Sequence, residues 1–249
     1  MKEEKMLLAA AADRLRQCEE QYIPTRSDFL DMHQRSLVES MLRNEKHDCR
    51  VEFFGGYDDA ERVVCCFLPD YASAESDSGL AVARVSVTPG GRQLTHRDYL
   101  GSLLGLGIKR EKTGDIIVRD DGADIVICEE LAEFISLNYD KAGRTSLSVE
   151  ILPIGDLKVA EKSFSEREDT VASLRLDNII SSAFGISRSK AAEAIKKGIV
   201  FVNNTECLKI DKDISEGDKL VLRGRGKAYL TEIGGTSRKG RVYVKFRVY

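Results

Sequence analysis

The residues best suited to ligand chemistry in this 249-residue chain are cations set among small residues near its C-terminus. A helix predicted over Arg188–Lys197 carries alanines and Ile195 on one face and lysines on the other. Ser187 is a natural N-cap for that helix, and the amides of a helix N-terminus attract anions. Further along, Arg223-Gly224-Arg225-Gly226-Lys227 places three cations between glycines, where the backbone can approach a ligand closely. Both segments predict phosphate binding, although a cationic helix face by itself is also typical of simple solvation.

A first amphipathic helix is predicted just before this one, over Val171–Phe184, and Gly185 provides its stop. Its apolar stripe consists of Ala172, Leu176, Ile179, Ile180 and Ala183. Arg175 and Asp177 flank the stripe, so Arg175 either contacts a ligand or forms a structural ion pair with Asp177. After the second helix, the sequence predicts a strand over Ile199–Val202, a turn at Asn203-Asn204 and a strand over Lys219–Leu222.

This stretch resembles the RNA-binding domain first described in ribosomal small-subunit protein four, often called the alpha-L motif. The matching segments are Arg175-Leu176-Asp177, Ser187-Arg188-Ser189-Lys190-Ala191, Lys197-Gly198-Ile199-Val200-Phe201-Val202-Asn203 and Glu216-Gly217-Asp218-Lys219-Leu220. In that family two helices and the following turn bind the backbone of structured RNA. The RNA-binding residues that the resemblance implies are Arg175, Ser187, Arg188, Lys190, Lys197 and Asn203, with Asp177 orienting a neighbouring cation. Charge and position add Lys196, Arg223, Arg225 and Lys227.

The charge distribution agrees with a polyanionic partner for this end of the chain. Residues 168–249 hold 16 Lys and Arg against 10 Asp and Glu, whereas residues 1–167 hold 22 against 31, within a net charge of −3. An acidic body with a basic C-terminal module is the asymmetry expected of a nucleic-acid binder. No apolar run is long enough to cross a membrane, and no signal peptide is evident, so we expect a cytoplasmic protein. The six cysteines form no C-x-x-C pair and the three histidines are scattered, so the cysteines are predicted to be buried thiols rather than metal ligands.

The remaining chain predicts an α+β fold with helices first. Residues 1–50 read as two helices, one over Glu3–Glu20 and a second after Pro24, capped by Thr25 with Asp28 three residues later. We expect this region to be a helical packing unit.

A middle domain over residues 51–154 follows, and a linker over 155–170 separates it from the alpha-L type domain at 171–249. Two β-rich runs, Val51–Phe54 and Arg62–Leu68, precede a βαββαβ alternation, which is the ferredoxin-like order shared with RNA-recognition motifs. The alternation comprises Ala81–Val87, Thr95–Leu106, Asp115–Arg119, Asp124–Cys128, Glu129–Tyr139 and Thr145–Leu152. Its two central strands lack the aromatics that such motifs stack on bases, so we expect a scaffold or protein-contact role.

The last strand, Arg241–Tyr249, alternates apolar residues with cations and tyrosines. Its outward face could stack unpaired bases, or it could belong to an edge strand protected by charge. Both interpretations stay open from the sequence.

Catalytic motifs are weak. Gly101–Gly107 is glycine-rich but ends a predicted helix rather than opening one, which disfavours a nucleotide site. Pseudouridine synthases that carry an alpha-L domain place their Arg-Leu-Asp run in a later catalytic domain, for which the residues after Asp177 leave no room. His96, Arg97 and Asp98 form the remaining cluster, and helix capping explains it better than catalysis.

The whole chain resembles the YlmH family of bacterial proteins. The segments that carry the resemblance are Leu94-Thr95-His96-Arg97-Asp98-Tyr99-Leu100-Gly101, Leu106-Gly107-Ile108-Lys109-Arg110-Glu111 and Gly114-Asp115-Ile116. The family is encoded near cell-division genes and is linked to stalled large ribosomal subunits, where it engages ribosomal RNA and peptidyl-tRNA. The resemblance therefore implies a non-catalytic RNA-binding factor in ribosome quality control, with no cofactor, metal, membrane or small-molecule substrate. The alternative is an RNA-modifying enzyme with its active site around His96.

Overall fold

The computed structural model describes residues 2–88, 90–159 and 164–249. The chain forms two compact units, Met1–Val159 and Ala160–Tyr249. Both units mix helices with strands, which confirms the predicted α+β class.

The first unit begins with two helices packed on a small sheet, here the N-terminal sheet. Its strand order is β1-β3-β2. Cys65 and Phe67 of the central strand pack against the helices through Ala11, Leu15 and Val38. The elements are α1 Lys2–Gln21, β1 Thr25–Arg26, α2 Met32–Asn44, β2 Arg50–Phe54 and β3 Val64–Leu68.

The predicted cap of the second helix is wrong. Thr25 lies in β1, where it pairs with Phe67, because the backbone after Pro24 is extended and hydrogen-bonds to the neighbouring strand. The helix starts at Met32 instead, and Asp31 caps it in a capping box with Gln34. Phe29 and Leu30, which lie between β1 and α2, are buried.

The middle of the chain folds as the predicted βαββαβ alternation. Its sheet, here the middle sheet, has the antiparallel order β5-β6-β4-β8-β7, so the first four strands have the ferredoxin-like arrangement. Helices α4 and α5 cover one face. The elements are α3 Ala74–Asp77, β4 Leu80–Val87, α4 His96–Gly105, β5 Thr113–Val118, β6 Gly122–Cys128, α5 Ala132–Asn138, β7 Lys141–Ala142 and β8 Thr145–Pro153.

The other face of the middle sheet is covered by the N-terminal sheet. Val64, Cys66 and Leu68 of β3 pack in one core with Val82 and Val126 of the two central strands of the middle sheet. The two β-rich runs that we assigned to a domain starting at residue 51 therefore belong to the N-terminal sheet, because their apolar residues alternate between two cores. RNA-recognition motifs bind bases on a sheet face, and in this chain that face is buried.

The second unit places two helices on one face of the C-terminal sheet, whose order is β11-β10-β12-β13-β14-β9. Helices α6 and α7 bury their apolar side chains against Val200, Leu220 and Phe246. The elements are β9 Ser165–Val171, α6 Leu176–Phe184, α7 Arg188–Lys196, β10 Val200–Val202, β11 Thr205–Glu206, β12 Lys219–Leu222, β13 Gly226–Thr236 and β14 Val242–Val248.

Three expectations for this unit need correction. Part of the predicted linker is strand β9, which pairs with β14 along its whole length; a strand held by backbone bonds and by ion pairs to Lys245 needs few apolar side chains. Residues 160–163 of that linker lie outside the described part. Strand β14 is therefore internal, so the edge-strand interpretation is wrong. The first helix starts at Leu176 rather than Val171, and Ala172 is exposed outside it.

Candidate nucleic-acid interface

The centre of the candidate interface is a buried carboxylate that holds two arginines. Asp177 lies in the first turn of α6 and is 3% exposed. Its Oδ2 accepts a hydrogen bond from Nε of Arg188 at 2.7 Å, and its Oδ1 accepts one from Nε of Arg175 at 3.3 Å. Arg188 opens α7, and Arg175 immediately precedes α6. One side chain thus connects the N-terminal ends of both helices.

The two guanidinium groups stay accessible although Asp177 anchors them. The side chains of Arg188 and Arg175 are 57% and 41% exposed. Because both arginines bind Asp177 through Nε, their terminal NH₂ groups remain for a phosphate, whose oxygens arginine binds well. Burial alone would raise the pKa of Asp177, but the bonds from Arg188 and Arg175 outweigh it and lower that pKa. The carboxylate is therefore ionised at neutral pH. Arg175 can therefore both form a structural ion pair with Asp177 and contact a ligand, because its paired side chain stays accessible.

Helix α7 presents the remaining predicted cations of this surface. Ser187 caps the helix by accepting a hydrogen bond from the backbone N–H of Lys190, so its hydroxyl has a structural role. The side chains of Lys190 and Lys196 are exposed, and within the described residues no ion pair engages them. Lys197 instead contacts Glu193 at 2.6 Å. Lys190 and Lys196 are consequently the cations whose charge is least compensated.

Asn203 has a structural role that the sequence did not indicate. It forms the β10–β11 turn with Asn204, and both have the predicted positive φ, 51° and 66°. Its amide donates to Asp218 at 2.7 Å, and its side-chain oxygen accepts from the backbone of Lys219 at 2.9 Å. Binding RNA through this amide would break a contact between two turns, so we no longer expect Asn203 to contact RNA.

The glycine-rich loop joins β12 to β13 and displays its cations as predicted. Arg223 and Arg225 are exposed, and Arg223 lies over the ring of the buried Phe201 at 5.4 Å. Lys227 lies over the ring of Tyr249 at 4.8 Å. Gly224 and Gly226 adopt φ of 83° and 118°, values that side chains disfavour, which explains the two glycines. This loop is a second group of cations, and the sequence did not show that aromatics flank it.

The middle domain places His96 and its neighbours in a helix cap. His96 is exposed in the first turn of α4, and Thr95 caps that helix in a capping box with Asp98. Hydrogen bonds from Thr95 and an ion pair with Arg92 hold the pKa of Asp98 at about 2. A general acid or base at neutral pH needs a pKa nearer to 7. The geometry of this cluster therefore supports capping. Gly101 and Gly105 lie inside α4, so they do not open a helix as a nucleotide loop would.

Cysteines and acids offer little metal chemistry. The cysteines are free thiols, all buried except the half-buried Cys49, and burial raises the pKa of Cys66 to about 12. Within the described residues, Asp28, Cys128 and Glu130 form a group that could hold a metal ion. The ammonium group of Lys112 already contacts Asp28 and Glu130, at 2.7 Å each. This arrangement is an ion-pair network of the first unit.

Known families match both parts of the chain. Residues 74–156 match the model described as a candidate RNA-binding domain in YlmH, and residues 174–220 match the S4 domain. The ribosome-associated protein quality control protein P2 of Bacillus subtilis (strain 168) is 33% identical over an alignment of 250 positions, which includes 98% of this chain and 95% of that protein.

Two solved structures are also similar. The cell division protein ylmH from Streptococcus pneumoniae is 26% identical, with a TM-score of 0.49, and the match covers 61% of this chain and 92% of that one. A pseudouridylate synthase is 32% identical over 25% of this chain and 26% of its own, with a TM-score of 0.21. Across the described residues, the helices are all too short or too polar to cross a membrane.

Proposed function

This chain belongs to the YlmH family, and we propose that it is a ribosome-associated protein that binds structured RNA through α6 and α7. The RNA backbone would lie across Arg175, Arg188, Lys190 and Lys196, with Lys197 at the rim. The second unit would form the RNA-binding module.

The observation that carries this proposal is the pair of arginines held by Asp177. A buried carboxylate that fixes two accessible guanidinium groups reduces the ordering that those side chains undergo on binding. Phosphate contacts position a protein on RNA without reading its sequence. Recognition of a particular RNA would then depend on shape, as expected for a folded RNA.

The proposed role involves no chemical turnover. The middle sheet has one face under α4 and α5 and the other under the N-terminal sheet, so neither central face offers a nucleotide platform. The cluster around His96 supports a helix cap. We therefore favour a binding role over RNA modification, and we assign no cofactor, metal or small-molecule substrate.

The RNA partners belong to the large ribosomal subunit and to tRNA in this proposal. The Bacillus relative is named for ribosome-associated quality control, and the family resemblance implies ribosomal RNA and peptidyl-tRNA on that subunit. A link to cell division follows from the same resemblance. A cytoplasmic location is proposed with them, since ribosomes are found there.

Co-sedimentation of the full-length chain with purified ribosomal particles tests this function. The particles are small subunits, large subunits, and large subunits carrying peptidyl-tRNA. We expect binding to large subunits, strengthened by peptidyl-tRNA. The double variant Lys190→Ala/Lys196→Ala should bind more weakly, because it removes from α7 two exposed cations that no ion pair engages in the described part of the chain.

The matched control is Lys46→Ala/Lys141→Ala, which removes two exposed lysines from the first unit. It should bind like the unchanged chain. Equal losses in the two double variants would indicate nonspecific attraction, and preferential binding to small subunits would contradict the proposed partner.

A further inference from the structure

The face of the C-terminal sheet opposite α6 and α7 carries a cluster of aromatics and cations at one end. We define it as the aromatic patch: Phe164, Tyr229, Tyr249, Lys227 and Arg247. The ring of Tyr249 lies 5.7 Å from that of Phe164 and 6.0 Å from that of Tyr229. Lys227 lies over Tyr249 at 4.8 Å, and Arg247 lies over Phe164 at 5.0 Å. The cluster joins three segments that are far apart in sequence.

Strand register explains why these side chains share one face. Tyr229 of β13 pairs with Arg247 of β14, so both point the same way. Phe246 and Leu230, their neighbours in sequence, are buried on the opposite face beneath the helices. The alternation seen in Arg241–Tyr249 thus separates core residues from outward residues. Phe164 contributes a ring that is 46% exposed.

The charges on this face divide it into two halves. Toward its far end, Lys245 pairs with Glu166 and Glu168, and Arg241 donates to Thr170. At the patch end, Lys227 and Arg247 lie over aromatic rings, and the exposed Arg223 and Arg225 are close in sequence to Lys227. Glu166 lies opposite Arg247 in register, but its carboxylate binds Lys245. The patch end therefore combines aromatic rings with Arg247, Arg223 and Arg225, which no carboxylate neutralises within the described residues.

We propose that the aromatic patch binds unpaired nucleotides of RNA by stacking their bases on Tyr249 and Phe164. Aromatic rings interleaved with cations characterise single-strand binding surfaces, because rings stack on bases while cations attract the backbone. The inference rests on the proposed RNA-binding function and extends it: the helices hold a folded element, and the patch holds a single-stranded segment next to it.

The test compares two RNAs that share one hairpin stem. One hairpin is blunt, and the other carries a tail of six uridines. The full-length chain should bind the tailed hairpin more tightly. The double variant Phe164→Leu/Tyr249→Leu should lose about 10-fold or more in affinity for the tailed hairpin, with unchanged affinity for the blunt one. Because leucine removes no charge, the salt dependence of binding should also be unchanged.

Tyr243→Leu is the matched control, since Tyr243 is 52% exposed on the same strand but lies in the half where Lys245 is paired. It should bind both RNAs normally. Equal affinity of the unchanged chain for the two hairpins would overturn the stacking proposal while leaving the proposed function intact. An equal loss on both RNAs in the double variant would also overturn it, because it would indicate a structural role for the rings. Failure to bind either hairpin would instead contradict RNA binding itself, and the stacking proposal with it.

Discussion

Replacing Asp177 by asparagine should weaken RNA binding, although it makes the protein less acidic. Asp177 holds Arg188 and Arg175 through Nε at 2.7 and 3.3 Å. Asparagine has nearly the same shape but lacks the charge that fixes both guanidinium groups. The substitution therefore separates positioning of the arginines from overall charge.

The magnitude follows from two opposing effects. Immobilising a long side chain on binding costs about 0.5–1.5 kcal/mol, so two arginines that lose their anchor cost about 1–3 kcal/mol. Removing one negative charge about 7 Å from a phosphate reduces repulsion by about 0.6 kcal/mol in water. The net loss is about 0.4–2.4 kcal/mol, or roughly 2- to 60-fold in Kd.

Fluorescence anisotropy with a structured RNA measures this change, and circular dichroism checks that the variant is folded at the assay temperature. Asp211→Asn is the matched control, because Asp211 is exposed in the same unit and no arginine contact is found for it in the described part. It should leave affinity unchanged or slightly increased. A folded Asp177→Asn protein that binds RNA more tightly would refute the positioning role of Asp177 and would place the RNA on another surface.

Three further predictions concern charge, pH and catalysis. Lys190→Ala/Lys196→Ala should flatten the log–log dependence of RNA affinity on salt by about 1.4–1.8 with no loss of thermal stability; an unchanged slope would remove these lysines from the interface. Asp124 is fully buried and receives bonds from Arg84 and Arg119; burial raises its pKa, but those bonds outweigh burial and lower the pKa below its usual value of about 3.9. The stabilisation that ionised Asp124 contributes is therefore present above about pH 4 and is lost as the pH falls through the lowered pKa. Asp124→Asn should lower the free energy of unfolding by about 3 kcal/mol at pH 7, and in urea titrations that free energy should change less on acidification than it does in the unchanged chain. A variant as stable as the unchanged chain would show that the network contributes nothing. His96→Ala should leave the affinity for RNA unchanged, and mass spectrometry should find the same modified nucleosides in ribosomal RNA. The disappearance of a modified nucleoside in this variant would reveal an enzyme.

Local patterns in the sequence predicted the elements that carry their own signals. Ser187, which precedes a helix with an alanine face, predicted the bounds of α7 almost to the residue. The pair Asn203-Asn204 predicted the turn between β10 and β11. The βαββαβ order followed from alternating periodicities and from the Thr95 capping box. In each case the residues that determine the structure lie within one element.

The parts that were missed depend on distant pairing. Strand β9 is charged and has no apolar alternation, and it is a strand because β14, more than 70 residues later, offers it a backbone partner. Thr25 and Arg26 likewise form a strand only beside β3. No local pattern could show that the N-terminal sheet buries the face of the middle sheet.

The candidate interface likewise combines features that local sequence patterns predict with features that depend on distant contacts. The sequence located the cations of α7 and the glycine loop, and it suggested that Asp177 orients a cation. Neither Arg188 nor Lys190 lies on the apolar face of α7, so the sequence alone predicts that the fold tolerates their removal. The structure shows that Arg188 is the closer partner of a buried carboxylate, so Arg188→Ala should destabilise the second unit as well as weaken binding. Lys190 and Lys196 are cleaner probes because their charges support no buried group.

Photochemical cross-linking of the full-length chain to large ribosomal subunits, with the linked peptides identified by mass spectrometry, tests the central claim most directly. RNA-linked peptides should come from 175–197 and from the loop at 223–227, and they should disappear at high salt. Cross-links confined to residues 2–159 would contradict the assignment of RNA binding to the C-terminal unit.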